Sequence, residues 1–386
     1  PDYVTQPPRG THPFQPSPYV GLTPPDQYPA AIAFFQEKLA FASTPESPNG
    51  VWLSRTGDYR NFDLPDVFHF AGESLRFDLA ARRLEDVRHL LQDTKLIILT
   101  GSTVWSMGGA GGAPLDYDSV DARIEDHVGA SHVPPLQVDG SVFFNRTKGN
   151  GVRQLRFNGE KYEASGASDH SQHLFVGEAV GVDGGTYSKQ IVDWAYAEDP
   201  WGVVWAARAD GVLLSMTHIG EAVAWARHDT DGRVLRVCSV PEGNEDAVYL
   251  LVQRDLNGAL VNCIERMTSR LRYGNNNDGG CVDCSLKVTV AADATGSALR
   301  IQLPHLAGET VWVTGVDNAP EEYVVGVDPV AGYSVQGITL NQAPISNEIS
   351  GDEAVLYVGL AYTAELETLD VVDSSVRMKS KIPKAV

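Results

Sequence analysis

Residues 203–217 read VVWAARADGVLLSMT, two apolar runs joined by Asp210-Gly211. Asp-Gly between such runs is among the strongest short-range signals for a tight β-hairpin, because the turn demands positive φ. Four more segments carry the same message. Residues 31–42 hinge at Gln36-Glu37, 96–105 at Gly101, 141–157 at Lys148-Gly149-Asn150-Gly151, and 247–266 at Asn257-Gly258. We read these as five hairpins of one design, recurring at intervals of roughly 45 to 60 residues. Units of that length with four strands each predict a β-propeller, in which every blade buries its faces against its neighbours. A β-sandwich or barrel is the competing reading of the same strands.

One helix interrupts the pattern. In residues 84–91, LEDVRHLL, the positions Leu84, Val87, Leu90 and Leu91 fall on one helical face. The polar Gly/Asn run LRYGNNNDGG at 271–280 breaks the chain. Beyond it alternation resumes in LKVTV, LRIQL, TVWVTG, YVVGV and AVLYVGL. The expected organisation is therefore all-β. A Pro-rich arm or linker spans 1–27, a propeller-like domain 28–270, a linker 271–283, and a smaller β-barrel or β-sandwich domain 284–386. The first residue is Pro, and the basic stretch RMKSKIPK near the end has no closing element. Both lead us to expect a longer product.

With 386 residues, 43% of them hydrophobic, the chain can bury substantial cores. No window has the roughly 20 uncharged apolar residues of a membrane helix. Fifty acidic against thirty basic residues give a net charge of −20. That balance argues against wrapping a nucleic acid, which requires Lys and Arg to neutralise phosphates. It suits either ordinary solubility or a wall past which a nucleic acid slides without sticking. The loops LDYDSVD and PEGNED supply the candidate lumen or interface acids Asp116, Asp118, Asp121, Glu242, Glu245 and Asp246.

Chemistry-bearing motifs are sparse. There is no Gly-x-Ser-x-Gly, no P-loop and no dinucleotide fingerprint, and Gly108 to Gly112 reads as a flexible loop. Asp169, His170 and His173 resemble part of a ligand set, yet no further ligand is named, so an exposed turn is expected. Cys281 and Cys284 have zinc-knuckle spacing without a second pair. Cys238 and Cys263 lie in apolar runs and are expected as small core residues. So few thiols suit a reducing compartment. The aromatics Phe34, Phe35, Phe143, Phe144, Trp194, Trp201, Trp205 and Trp225 are expected to pack between blades. Residues 54–59, SRTGDY, approach the Asp-box turn of sialidase-like propellers, with the Asp and Gly order changed. We expect that turn to staple a blade. A glycosidase would need an arginine cluster and paired acids that the sequence does not display. We expect no catalytic, cofactor-binding or metal-binding residue.

The wording of the segments is more specific than the fold. YPAAIAFFQEKLAFASTPESPNGVWLSRTGDYRNF is followed by LIILTGSTVWSM, HLF, and WAYAEDPWGVVWAARADGVLLSMTHIGEAVAWARHDTDGRVLRVCSVPEGNEDAVYLLVQRDLNGALVNCIERM. LPHLAGETVWV, GYSVQGITL and YVGLAYTAELETL complete the series. In this order the segments resemble the tail tubular protein B, or tail nozzle, family of short-tailed double-stranded DNA bacteriophages. The resemblance implies a propeller protein of the virion, assembled in the host cytoplasm as a ring, typically a hexamer, beneath the portal adaptor. It implies contacts with other tail proteins and transient passage of double-stranded DNA, with no enzyme activity and no cofactor. A propeller glycosidase, or a glycan-binding receptor module of the tail, is the alternative.

Overall fold

The computed structural model describes residues 28–64, 70–80, 85–181, 184–220, 222–256, 258–269, 282–291, 299–315, 321–328, 335–340, 353–361, 371–373 and 376–378. The expected arm at 1–27 and nearly all of the expected linker at 271–283 lie outside them.

Five antiparallel sheets follow one another in up-and-down order. The first holds β1 (Ala31–Phe35), β2 (Lys38–Ala42), β3 (Gly50–Leu53) and β4 (Leu75–Asp78). The second holds β5 (Val87–Gln92), β6 (Leu96–Thr100), β7 (Val104–Gly109) and β8 (Val120–Asp126). The third holds β9 (Leu136–Val138), β10 (Ser141–Asn145), β11 (Val152–Phe157) and β12 (Tyr162–Gly166). After a small hairpin, β13 (Glu178–Val180) and β14 (Thr186–Ser188), comes the fourth sheet. It contains β15 (Ile191–Ala197), β16 (Val203–Arg208), β17 (Leu213–Ile219) and β18 (Ala222–His228). The fifth has three strands, β19 (Arg233–Glu242), β20 (Glu245–Leu256) and β21 (Ala259–Arg266). The opening strands pack on one another, β1 on β5, β9 on β15 and β15 on β19. The arrangement is propeller-like and all-β.

Strand alternation shows why these sheets must stack. In β6, Leu96 and Ile98 join Phe35 and Val51 in a core between the first and second sheets. Ile97 and Leu99 point the other way and pack with Val142 and Phe144 of the third. Phe143 faces the fourth sheet, meeting Trp194, Val204 and Met216. Val203, Trp205 and Leu213 face the fifth, against Val234 and Val252. An interior sheet is thus apolar on both faces, and each large side chain contributes about 2 kcal/mol of burial only because a neighbour covers it. Among the described residues, these cores join consecutive sheets, and none joins the first to the fifth.

Residues from 282 onward add two further sheets. One is ordered β22 (Asp283–Ala291), β28 (Glu353–Leu360), β24 (Thr310–Gly315), β25 (Glu321–Val324). The other is β23 (Leu299–Gln302), β27 (Val335–Leu340), β26 (Gly326–Asp328). They share a core of Ile301, Leu303, Val311, Val313, Ile338, Leu356 and Val358, a sandwich onto which Leu256 of β20 also packs. A short pair, β29 (Val371–Asp373) and β30 (Val376–Met378), follows.

The structure corrects several expectations. The predicted helix is strand β5, with Leu84 outside the described residues. A β-bulge between Val87 and His89 places Val87 and Leu90 on the same side, both in the first core. A bulged strand thereby imitates the i, i+3 spacing of a helix. The five hairpins are also not equivalent. Residues 31–42 join a first to a second strand, whereas the other four join a second to a third. Cys238 is exposed and Cys263 only half-buried. Trp201 and Phe34 are 67% and 55% exposed, while Phe35, Phe143, Phe144, Trp194 and Trp205 are core residues.

Candidate functional surface

Each turn from a first to a second strand carries carboxylates. Glu37 lies between β1 and β2, Asp93 between β5 and β6, Asp139 between β9 and β10, and Glu198 and Asp199 between β15 and β16. Glu242 and Glu245 flank the turn between β19 and β20. Hydrogen bonds bring several of these turns to one end of the stack. Gln137 donates its Nε2 to the Gln92 carbonyl at 2.7 Å, tying the second and third sheets. The Glu198 and Asp199 amides donate to Asp246 at 2.7 and 3.2 Å, tying the fourth to the fifth. The β7–β8 loop, which holds Asp116 and Asp118, emerges at the same end. Its Leu115 amide donates to Gln36 Oε1 at 2.7 Å, in the turn of the first sheet.

The six acids expected from sequence therefore share one end of the stack but differ in what they can do. Asp116 accepts from the Gly72 amide at 3.3 Å and from the Tyr117 amide at 2.8 Å. Asp118 is exposed. Asp121 is held by Arg123 at 2.9 Å and Lys95 at 3.4 Å. The Arg123 hydrogen bond, more than any other influence, keeps its carboxyl below the usual range. Glu242 accepts from Tyr249 and pairs with Arg266 at 2.9 Å, and the same guanidinium reaches Glu245 at 2.9 Å. Tyr249 first, then Arg266, lowers the Glu242 pKa. Asp246 serves as a backbone cap. Most of these acids are structural acceptors.

The less encumbered carboxylates are ones that sequence inspection passed over. Asp139 and Glu198 line a depression of about 420 Å³ together with Gln92, Asp93 and Tyr196. His218 Nδ1 approaches Asp139 only to 3.6 Å. Burial first, then Asp139, Glu198, Asp199 and Asp246, raises the Tyr196 pKa, so four carboxylates crowd one phenol. The missed signal was positional. Once strands are phased within each of the five sheets, every first turn contains Asp or Glu or is flanked by Glu. Of the nearby cations, Lys38 is buried, donating to the Ser54 and Glu73 carbonyls at 3.2 and 2.5 Å. Desolvation lowers its pKa.

The Ser54–Tyr59 turn works as a staple. Gly57, at φ +73°, donates its amide to the Glu37 carbonyl at 2.9 Å, and Thr56 donates to Gly72 at 2.8 Å. Ser54 Oγ accepts from the Leu39 amide at 2.9 Å. These bonds tie the β1–β2 turn to the β3–β4 connection. His170 and His173 are exposed on the short 3-10 segment Asp169–Leu174. Among the described residues, no group of three His, Cys, Asp or Glu could hold a metal ion. Cys281 lies outside them. No described helix is long and apolar enough to cross a membrane.

No protein-family model matches the chain. No curated protein matches it either. Among solved structures, the chain is similar to a triple arginine-to-alanine mutant of AofleA from Arthrobotrys oligospora, with 9% identity and a TM-score of 0.29. That likeness covers 61% of this chain and 67% of the other. It is also similar to the WD40 domain of SCAP from fission yeast, with 9% identity and a TM-score of 0.34, over 87% and 86% of the two chains. Likenesses this distant carry no argument about function.

Proposed function

We propose that this chain is a structural component of a bacteriophage tail, part of the wall of a nozzle or tube through which the genome is retained and then ejected. The observation that supports this reading most is the carboxylates in the first turns of successive sheets, several of them hydrogen-bonded into one end of the stack. A double-stranded DNA passing such an end meets like charge from these turns. The ordered series of segments that resembles the tail nozzle family supports the same reading. The chain would act by assembly, as a ring with other copies and with neighbouring tail proteins, rather than by catalysis. It would be made in the host cytoplasm and reside in the virion.

Imaging of intact particles carrying a labelled copy of this chain tests the proposal. The expected result is density in a ring on the tail axis. Presence in lysates of infected cells with absence from purified virions would overturn it. The geometry also selects the charge reversals worth making. Asp139→Lys and Glu198→Lys should slow genome ejection if this end lines the channel. Asp246→Lys is a poorer probe, since it also removes two backbone hydrogen bonds.

A further inference from the structure

A cavity of about 780 Å³ lies where the fourth and fifth sheets meet the sandwich. Its wall includes Trp205, Leu250, Val252, Cys263, Met267 and Cys284. The volume is that of a small-molecule pocket, which ordinarily combines apolar and aromatic surface with a few polar groups.

Several of the charged groups around it are hydrogen-bonded. Arg254, with a side chain only 1% exposed, grips Glu265 through two bonds of 2.6 and 2.8 Å. It also donates to the Asp231 carbonyl at 2.6 Å and to Thr230 at 3.0 Å. Thr230 in turn donates to Asp283 at 2.6 Å. His228 shares a 2.7 Å hydrogen bond with Ser215. Desolvation lowers the pKa of both His228 and His305, which favours neutral imidazoles. Desolvation, then Glu265, pushes the Cys284 thiol up to about 12. What the cavity offers a guest is an indole, three sulfur atoms and aliphatic carbon beside hydrogen-bonded polar groups, the Arg254–Glu265 pair, Thr230 with Asp283, and the imidazoles of His228 and His305. Sulfur and aromatic surface favour an aromatic guest, and an unpaired guest charge would be desolvated without a partner.

We propose that this cavity is a binding site for an uncharged aromatic small molecule of two to three rings. The guest would wedge between β21 and β22 and couple the fifth sheet to the sandwich.

The test is a titration of the full chain with the uncharged aromatic fluorophore N-phenyl-1-naphthylamine, a naphthalene joined to a phenyl ring through an amine. A saturable rise with one equivalent bound is expected, with a Kd of about 1–10 μM. Cys263→Phe, which fills the space, should weaken binding about tenfold or more. Phe34→Ser, on the exposed face of the first sheet, should leave it unchanged. Iodoacetamide labelling of the unmutated chain supplies a readout independent of any variant. Cys238 is paired with Tyr249 and Cys263 with Val252, which puts the two thiols on opposite faces of the fifth sheet. Bound fluorophore should slow alkylation of Cys263 about fivefold or more and leave Cys238 unaffected. Absence of saturation, equal alkylation of Cys263 with and without the fluorophore, or loss of binding in Phe34→Ser would each overturn the proposal.

Discussion

Strands β1 and β10 both carry a Phe-Phe pair, and the two pairs live in different surroundings. In β10, Phe143 and Phe144 are both fully buried, one against the fourth sheet and the other against the second. In β1, Phe35 is buried against the second sheet, but Phe34 is 55% exposed and meets the edge of Tyr59 at 5.3 Å. Ile32, on the same face as Phe34, is 60% exposed. The sequence of each pair says only that both faces are apolar. Whether both are covered depends on having a sheet on each side, and the first sheet has a described neighbour on one side only. An uncovered apolar face at the end of a stack is what further assembly would bury.

The largest expected contrast follows directly. Phe143→Ala or Phe144→Ala should cost about 3–5 kcal/mol in urea unfolding, because each opens a cavity between two sheets. Phe34→Ala should cost less than about 1 kcal/mol in the isolated chain. Equal losses for Phe34 and Phe143 would mean that the first sheet is not an end.

Buried and exposed ion pairs repeat the contrast. Arg254→Ala strands Glu265 without its bidentate partner and should cost about 3–5 kcal/mol. Arg227→Ala removes an exposed pair with Asp229 and should cost under about 1 kcal/mol. Thermal unfolding of both variants measures the difference.

Glycines separate packing from conformation. A Cβ on Gly129 would lie 1.9 Å from the Gly101 carbonyl oxygen, so Gly129→Ala must move backbone and should cost about 3 kcal/mol. Gly57 has φ +73° and open space, so Gly57→Ala carries only left-handed strain, about 1 kcal/mol. Chemical denaturation of each variant tests this order.

The smallest effect is one of pH. His89 bonds the Ser131 carbonyl at 2.9 Å, and burial lowers its pKa from the ordinary 6.5. The unfolded chain then binds the proton more readily. Its contribution to stability is present above 6.5 and is lost as pH falls from there toward the folded value. His89→Gln should flatten the decline of Tm with pH through that window. An unchanged decline would assign it to other groups.

Much of the strand content was legible because hairpin turns are local chemistry. Asp210-Gly211 and Lys148 to Gly151 declare themselves through residues that tolerate positive φ, and Gly211, Asn150 and Gly149 adopt it. The β5 error has a matching physical cause. A bulge re-phases a strand by one residue, and nothing in VRHLLQ separates that from helical periodicity until β6 is in place beside it. The acids divide in the same way. Charge was readable for Asp116 and Glu242, and loop location for Asp116, whereas Glu242 closes strand β19 rather than sitting in a loop. That Asp246 caps a neighbouring turn while Asp139 and Glu198 stay less encumbered was not readable, because it depends on which turns meet across sheets.

The chain's residues alone determined that this is an all-β protein of short hairpins, acidic, with apolar strands that cannot stand singly in water. Backbone preference and hydrophobic period act within a few residues, so they are written locally. Tertiary structure alone decided which sheet covers which face, which carboxylates gather at one end, and where the cavity beside the sandwich opens. Those outcomes depend on contacts between residues tens of positions apart, and no local pattern encodes them.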